Sequence, residues 1–331
     1  MMDNTPRVTI LIPVFNNEDS ILPLLDSVAG QSVAPEEVLV VDDGSADRTA
    51  ELARSHPLSP RVLSLGVNRG PSVARNEGVR SASSEVVLFL DSDVVADSRA
   101  VERVKGHFLN GTVMAVNGRM MPEPLNADSP AAWYKCLVEY AWSYFIPQWD
   151  DSSACLNTRI GAIRRDAFME TGGFDTRYRK PSVEDHEFGL RFAAAHPIHY
   201  DRDLTAWHHF SGFKATVKNY WIRTQSLLHM LWKMHAPKLD KGGASASSAL
   251  EYVVGCMFAL SIVISPFTGL WLPAVLLAAF VQVSWKSLRF CLKMKGLLFY
   301  LYSLLLHAAY GVVITTAAAS AFVRYRLMDL P

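Results

Sequence analysis

Two stretches near the C-terminal end, Tyr252 to Val283 and Leu297 to Val323, contain no Asp, Glu, Lys or Arg. Each exceeds the ~20 residues that a helix needs to cross the hydrocarbon core of a bilayer. A surface helix of a soluble domain needs a polar face, and neither stretch has one. They read as membrane helices; a buried core hairpin is the alternative, and their length weighs against it. The chain as a whole is 50% hydrophobic and 19% charged, with a mean hydropathy of +0.13. That apolar excess sits in these two runs, because up to about Lys241 the sequence is that of a mixed soluble protein.

The composition of the junctions suggests a layout. Lys241-Gly242-Gly243-Ala244-Ser245-Ala246-Ser247-Ser248 is a linker by composition. It divides a soluble domain over residues 1–240 from a membrane region over 250–331, with 241–249 between them. The segment from Trp285 to Lys295 is basic and prefers the cytosolic side, as do Arg324 and Arg326. The first requires the apolar run to turn back, for which Pro266-Phe267-Thr268-Gly269 and Pro273 offer a place. Three crossings cannot satisfy both basic groups, so the number of passes stays open. Met1-Met2-Asp3-Asn4 lacks a basic n-region and the first apolar run stops at Pro13, so no signal peptide is expected. An integral membrane protein with its soluble domain on the cytoplasmic side follows as the expectation. Four scattered cysteines without a CxxC pair favour neither a zinc site nor a disulfide framework, and suit a reducing compartment. Thirty-two basic residues balance thirty-two acidic ones, which speaks against a nucleic-acid partner.

In the soluble part, strands and helices alternate. Val8 to Ile12, Val38 to Val41, Val62 to Leu65 and Val86 to Leu90 are short apolar runs suited to buried strands. Ile21, Leu24, Leu25 and Val28 recur at helical spacing before Gly30. Asp47 to Ala53 and Pro71 to Ala82 fit further helices. The spacing predicts an α/β fold, a mostly parallel sheet with helices on both faces. Beyond residue 110 the pattern loosens. Trp133, Tyr134, Tyr140, Trp142, Tyr144, Phe145 and Trp149 either line a groove or fill a core. Thr171 to Asp175 reads as a turn, Val183 to Ala195 as a helix opening on Glu184 and Asp185. Lys214 to His235 is amphipathic with tryptophans and basic edges, which fits an interfacial helix or one packed on a core.

Ligands of such sheets lie beyond the carboxyl ends of the strands, where Asp42-Asp43 and Asp91-Ser92-Asp93 stand. Carboxylates two residues apart share a face if the strand persists and converge on one ion if it turns. Oxygen ligands of this kind suit Mg²⁺ or Mn²⁺ with phosphate oxygens. Turn and helix-cap roles are the plainer alternatives for both clusters. Neither GxxxxGK[ST] nor GxGxxG occurs, so no P-loop or dinucleotide fingerprint accounts for the acids.

The succession Pro13-Val14-Phe15-Asn16-Asn17-Glu18, Val40-Val41-Asp42-Asp43-Gly44-Ser45, Asn68-Arg69-Gly70 with Ala74-Arg75-Asn76, and Phe89-Leu90-Asp91-Ser92-Asp93 resembles the family 2 glycosyltransferases of the GT-A fold. Gly172-Gly173-Phe174-Asp175 and Val183-Glu184-Asp185-His186-Glu187-Phe188-Gly189-Leu190-Arg191 look like that family's later motifs, in the same order. The resemblance covers residues 6–235.

It implies that Pro13, Phe15 and Asp43 hold the nucleoside of a nucleotide-sugar donor, with Asp43 on the base. Asp91 contacts the ribose or the metal shell. Asp93 binds a divalent cation, Mg²⁺ or Mn²⁺, that makes the diphosphate a better leaving group. Asp185, with Glu184 beside it, is the general base that takes the acceptor hydroxyl's proton, and the anomeric carbon inverts. Carboxylates at a helix start also serve as caps, which is the structural alternative for this pair. Related enzymes carry a histidine near His208, which would complete the metal shell or meet the diphosphate; the choice between His208 and His209 stays open. Arg223 would neutralise the diphosphate. Tyr220-Trp221-Ile222-Arg223 replaces the QxxRW of processive synthases, so addition of a single sugar is favoured over polymerisation.

The expected function is transfer of one sugar to a hydroxyl of a membrane-associated acceptor, lipid-linked or envelope glycan, in polysaccharide or glycolipid assembly. The alternative is transfer onto a polyprenyl phosphate, whose acceptor is already an anion and needs no base. A non-enzymatic nucleotide-sugar-binding membrane protein would not need Asp43, Asp91, Asp93 and Asp185 together. A nucleotidyltransferase would need a glycine-rich loop, and Pro13 to Ser20 contains no glycine.

Overall fold

The computed structural model describes residues 5–151, 153–234 and 246–327. Residues 241–245 of the expected linker, and His235, lie outside them. Two compact units divide the described chain. One takes the residues up to Met121 together with Ile146–His209; the other takes Pro122–Phe145 and the residues from Phe210 on.

The first unit is built on eight strands: β1 (Val8–Val14), β2 (Glu37–Asp42), β3 (Arg61–Ser64), β4 (Val86–Leu90), β5 (Val94–Ala96), β6 (Ala115–Met120), β7 (Ile160–Arg164) and β8 (Ile198–His208). They form one sheet in the order β3-β2-β1-β4-β7-β6-β8-β5. The strands of β3-β2-β1-β4 run parallel, as the alternation of strand and helix predicts. Beyond β4 the sheet is mixed. β7 is antiparallel to both β4 and β6, β8 is parallel to β6, and β5 is antiparallel to β8.

Successive side chains on a strand point to opposite faces, so an apolar run without alternation needs cover on both sides. Val8, Ile10, Ile12 and Val14 of β1 join one core with Ile21, Leu24, Leu25 and Val28 of α1 (Ile21–Ala29) and Val101, Val104 and Phe108 of α4 (Ala100–Phe108). Leu11 of β1 and Phe89 of β4 join a second core on the other face. It also holds Val79 of α3 (Pro71–Ser81) and Phe188 and Phe192 of α7 (Glu184–Ala193). α3 and α7 therefore cover the same face. That shared face decides which polar residues can meet at its upper edge.

The second unit is helical: α5 (Pro130–Tyr144), α8 (Phe213–Met234), α9 (Ala246–Thr268) and α10 (Trp271–Phe322), with one π-helical turn over Val323–Leu327. α9 stops within the Pro266–Gly269 segment, where the sequence predicts a reversal. α10 is interrupted at Gly296, whose φ of 80° is open to glycine but not to an ordinary L-residue. The legs 271–295 and 297–322 fold back on each other, with ring centroids 5.8 Å apart for Phe280 and His307 and 6.3 Å for Trp285 and Tyr300. The basic segment 285–295 is therefore the end of a helix. Its cations lie over aromatic rings: Arg289 is 4.4 Å from the ring centre of Phe145, and Lys295 is 3.9 Å from that of Trp133. The aromatic stretch on α5 fills the core here. Tyr134 packs 5.5 Å from Tyr310, and Tyr140 5.2 Å from Phe290.

Ser247–Thr268 and Trp271–Tyr325 are long and apolar enough to cross a membrane. Around its buried apolar core this unit also exposes large apolar side chains. Phe267, Leu270 and Leu298 are 91%, 79% and 85% exposed. Glu251 and His307 are buried inside. His307 Nδ1 lies 2.6 Å from the Tyr134 hydroxyl, and Ser287 Oγ donates to Glu251 Oε1 at 3.0 Å.

Candidate active site

The parallel strands β1, β2 and β4 end side by side, and the segments that follow them carry the acidic residues. Phe15, just past β1, is 42% exposed and presents an apolar ring at this edge, with Pro13 half-buried behind it. Asp42 is consumed by its own turn: Oδ1 accepts from Ser45 N at 2.9 Å and Oδ2 from Ser64 Oγ at 3.0 Å. Asp43 is buried, and its two oxygens accept the backbone N–H groups of Arg69 and Gly70, each at 2.8 Å. Burial pushes the Asp43 carboxyl above its usual range, more than those two donors pull it down. Asp43 thus fixes the segment that leads into α3.

α3 organises the rest. Its Arg75 is buried, and the guanidinium forks between two carboxylates. Nη2 donates to Asp91 Oδ1 at 2.8 Å and Nη1 to Glu184 Oε1 at 3.1 Å. Burial works against this charge, but Asp91, Glu184 and Asp185 outweigh it and raise the guanidinium's already high pKa. The neighbouring Asn76 donates from Nδ2 to Phe174 O at 2.8 Å and accepts from Phe174 N at 2.9 Å. It thereby clamps the Gly172-Gly173-Phe174-Asp175 turn, where both glycines have positive φ.

Asp91 and Asp93 follow β4 through a turn and take different partners. Asp91 goes to Arg75. Asp93 Oδ1 lies 3.3 Å from His208 Nε2. The β5–β8 pairing places Val94 opposite His208 and so fixes this approach. Burial tends to raise the Asp93 pKa, but the hydrogen bond and charge of His208 and the charge of Arg159 hold it below the usual carboxylate range. His209 is exposed and meets Asp93 through its backbone, N to O at 2.9 Å. Of the two histidines it is the side chain of His208 that faces the acid. The Asp93 carboxylate oxygen suits Mg²⁺ or Mn²⁺, and an imidazole nitrogen beside it shifts the preference of the pair toward Mn²⁺.

The acidic pair at the start of α7 is divided as well. Glu184 is buried, ion-paired to Arg75, and accepts Ser182 N at 2.8 Å. Asp185 keeps 31% of its side chain exposed, and its Oδ1 accepts from His186 N at 2.9 Å and lies 3.0 Å from His186 Nδ1. Burial alone would lower the His186 pKa, but Cys155 and Asp185 outweigh it and raise it well above the ordinary value. Arg223 is exposed on α8 and belongs to the second unit, not to the unit that holds the acids.

The structure therefore brings Asp91, Glu184 and Asp185 together around Arg75, and pairs Asp93 with His208. Arg75, Asn76 and Arg159 carry no role in the sequence reading. The signal for Arg75 was available: it lies one helical turn after Pro71 on a helix whose apolar residues face the sheet.

Residues 9–171 match the family model described as glycosyl transferase family 2. The chain is 31% identical over 183 residues to a pre-mycofactocin glycosyltransferase of Mycobacterium tuberculosis, across 51% of this chain and 35% of that one. It is 34% identical over 178 residues to a poly-β-1,6-N-acetyl-D-glucosamine synthase of Staphylococcus epidermidis, across 51% of this chain and 42% of that one. It thus spans less than half the length of these curated relatives. A mannosyltransferase from Pyrobaculum calidifontis, solved in complex with GDP-Man and Mn²⁺, superposes with a TM-score of 0.62 at 19% identity, over 95% of this chain and 87% of that chain. The fold is of the GT-A type, and residues 9–171 form a family 2 glycosyltransferase domain.

Arg75→Ala should leave two carboxylates facing each other in a buried site, at a cost of about 3–5 kcal/mol. Arg75→Lys should recover little of it, because one ammonium cannot fork between Asp91 and Glu184. Thermal melting of the full chain checks both. An Arg75→Lys protein as stable as the parent would contradict the forked geometry.

Proposed function

We propose, from the family 2 domain and the geometry around Arg75, that this chain is an inverting glycosyltransferase that moves a single sugar from a nucleotide-sugar to a hydroxyl of a membrane-associated acceptor. That acceptor would be lipid-linked or an envelope glycan. One observation carries the reading. Arg75 ties Asp91 of the donor side to Glu184 at the start of α7, and leaves the adjacent Asp185 as the accessible carboxylate.

Each residue then has a task. Phe15 and Pro13 offer an apolar wall for a nucleobase, and Asp43 holds the loop on which that base rests. Asp91, steadied by Arg75, is placed for the ribose. Asp93 and His208 would hold the Mg²⁺ or Mn²⁺, which supplies neutralising charge to the diphosphate when bound. Asp185 accepts the proton of the acceptor hydroxyl as that oxygen bonds to the anomeric carbon. The bond from that carbon to the diphosphate oxygen breaks on the opposite face, and the nucleoside diphosphate leaves with the electron pair. Glu184 is a positioning residue, since its carboxylate is committed to Arg75.

The apolar helices of the second unit support attachment to the membrane from Leu250 on; the catalytic domain would then lie on the cytoplasmic side. The second unit exposes large apolar side chains, while Glu251, Ser287, Tyr134 and His307 meet one another inside. Lipid demands that pattern and water does not. Carbonate extraction should leave the chain in the membrane pellet, and its recovery in the supernatant would show that these helices merely pack against one another.

Asp185→Asn tests the chemistry. Loss of a general base costs about 10²–10⁴-fold in turnover. Donor Kd should hardly change, because the donor is held by Asp43, Asp91 and Asp93. A variant with normal turnover and a lowered melting temperature would make Asp185 a helix cap. Normal turnover with unchanged stability would indicate an acceptor that is already an anion, as in a polyprenyl phosphate.

A further inference from the structure

A second group of potential metal ligands lies beside the proposed base. Among the described residues, the ligand atoms of Cys155, Asp185 and His186 fall within 4.8 Å of one another. His186 Nδ1 is the shared vertex, 3.6 Å from Cys155 Sγ and 3.0 Å from Asp185 Oδ1. Bonds of about 2.0 Å to nitrogen and oxygen and about 2.3 Å to sulfur, at a tetrahedral angle, separate such ligand atoms by roughly 3.3–3.6 Å. A cation can therefore enter with small side-chain movements.

Backbone geometry, not chance proximity, brings the cysteine here. Gly189 lies one helical turn beyond Asp185 on α7, and a Cβ there would be 2.5 Å from Cys155 Cα and from Ala154 O. Only a glycine lets the 153–155 segment rest on the helix. The segment is also held by Asn117 Nδ2, which donates to Cys155 O at 2.7 Å, and by Leu156 N, which donates to Asp185 O at 3.3 Å. All four cysteines are free thiols, and Cys155 is half-buried whereas the other three are buried. A cation at a helix N-terminus meets the positive end of the helix dipole. The first turn of α7 offsets this with Glu184, Asp185 and Glu187.

We propose that Cys155, Asp185 and His186 form a second cation site, distinct in chemistry from Asp93 and His208. It would be selective for a thiophilic divalent ion of the Zn²⁺ class. Both sites offer a carboxylate and an imidazole, and the thiolate found only here favours Zn²⁺ over Mg²⁺ and Mn²⁺, so the two sites sort their ions by ligand softness. Three protein ligands leave a fourth position open to water. Binding releases the thiol proton and the proton held between Nδ1 and the carboxylate; no electrons move. The ion takes the lone pair that Asp185 would offer to the acceptor hydroxyl, and transfer stops. This consequence rests on Asp185 as the base; the site itself does not.

Co²⁺ is the probe, added to the full chain in detergent micelles with Mg²⁺ in excess. The expected result is a thiolate-to-Co²⁺ charge-transfer band in the near ultraviolet with strong tetrahedral visible bands. Both should be displaced by Zn²⁺ and lost in Cys155→Ser. Cys155→Ala serves as a second variant if the first melts early. No thiolate band, or a band unchanged in a folded Cys155 variant, overturns the site. In turnover assays with saturating Mn²⁺, Zn²⁺ should inhibit the parent, and Cys155→Ser should need about tenfold more Zn²⁺ or beyond for the same loss. A zinc-loaded parent with full turnover would keep the site, which the Co²⁺ band reports independently, and would remove Asp185 as the base.

Discussion

A guanidinium that reaches two carboxylates at once must be buried between the elements that carry them. Arg75 is in that position. Asp91 follows β4 and Glu184 opens α7, and neither is near the other in sequence. Both approach α3 because α3 and α7 cover the same face of the sheet. Removing Arg75 would leave two facing carboxylates uncompensated, whereas removing either carboxylate would leave one ion pair and an unused guanidinium donor. The network therefore does more to fix geometry than to add stability, since a well-packed apolar trio would cost less to bury. Asn76, next to Arg75, extends the same control to the Gly172–Asp175 turn. Two adjacent residues of one helix thus set where the donor side and the base side stand.

The division of labour among the acids follows from their exposure. Asp42, Asp43 and Glu184 are buried and spend their oxygens on backbone N–H groups, hydroxyls or Arg75. Asp93 and Asp185 retain exposed oxygen and sit beside histidines. Acids of the first kind hold loops at fixed positions, and those of the second kind can meet a cation or a proton. The helical unit applies the opposite rule. It hides Glu251 and His307 and exposes phenylalanine and leucine.

Much of this was legible in the sequence. β1, β2, β4, α1 and α3 lie where continuous apolar runs and helical spacing place them, because burial on both faces leaves an unambiguous pattern. β8 was not legible. Its residues His199, Asp201, Arg202 and Asp203 are polar and leave no apolar run, yet Asp201 is fully buried. It accepts from Gln148 Nε2 at 2.9 Å, and His107 Nε2 lies 2.7 Å away. Partners so distant in sequence leave no local signature. α5 was hidden by its aromatic content, although Ser129 accepts Ala132 N at 3.3 Å as an N-cap and Pro130 opens the first turn. Of the site, the acidic positions were legible from motif order, and the division of each pair was not. Whether Asp91 turns towards Asp93 or towards Arg75 is decided by α3, and by nothing within the Asp91-Ser92-Asp93 segment.

The claim on which everything else depends is that sugar is transferred and not merely bound. Membranes carrying the chain, incubated with a panel of radiolabelled nucleotide-sugars and then extracted for lipid and glycan, report on it directly. The account predicts that label from one donor enters the extract, that EDTA abolishes this, and that Asp93→Ala reduces it by orders of magnitude while the variant remains folded. Saturable binding of a nucleotide-sugar with no label transferred from any donor would contradict it, and would leave a binding protein in place of an enzyme.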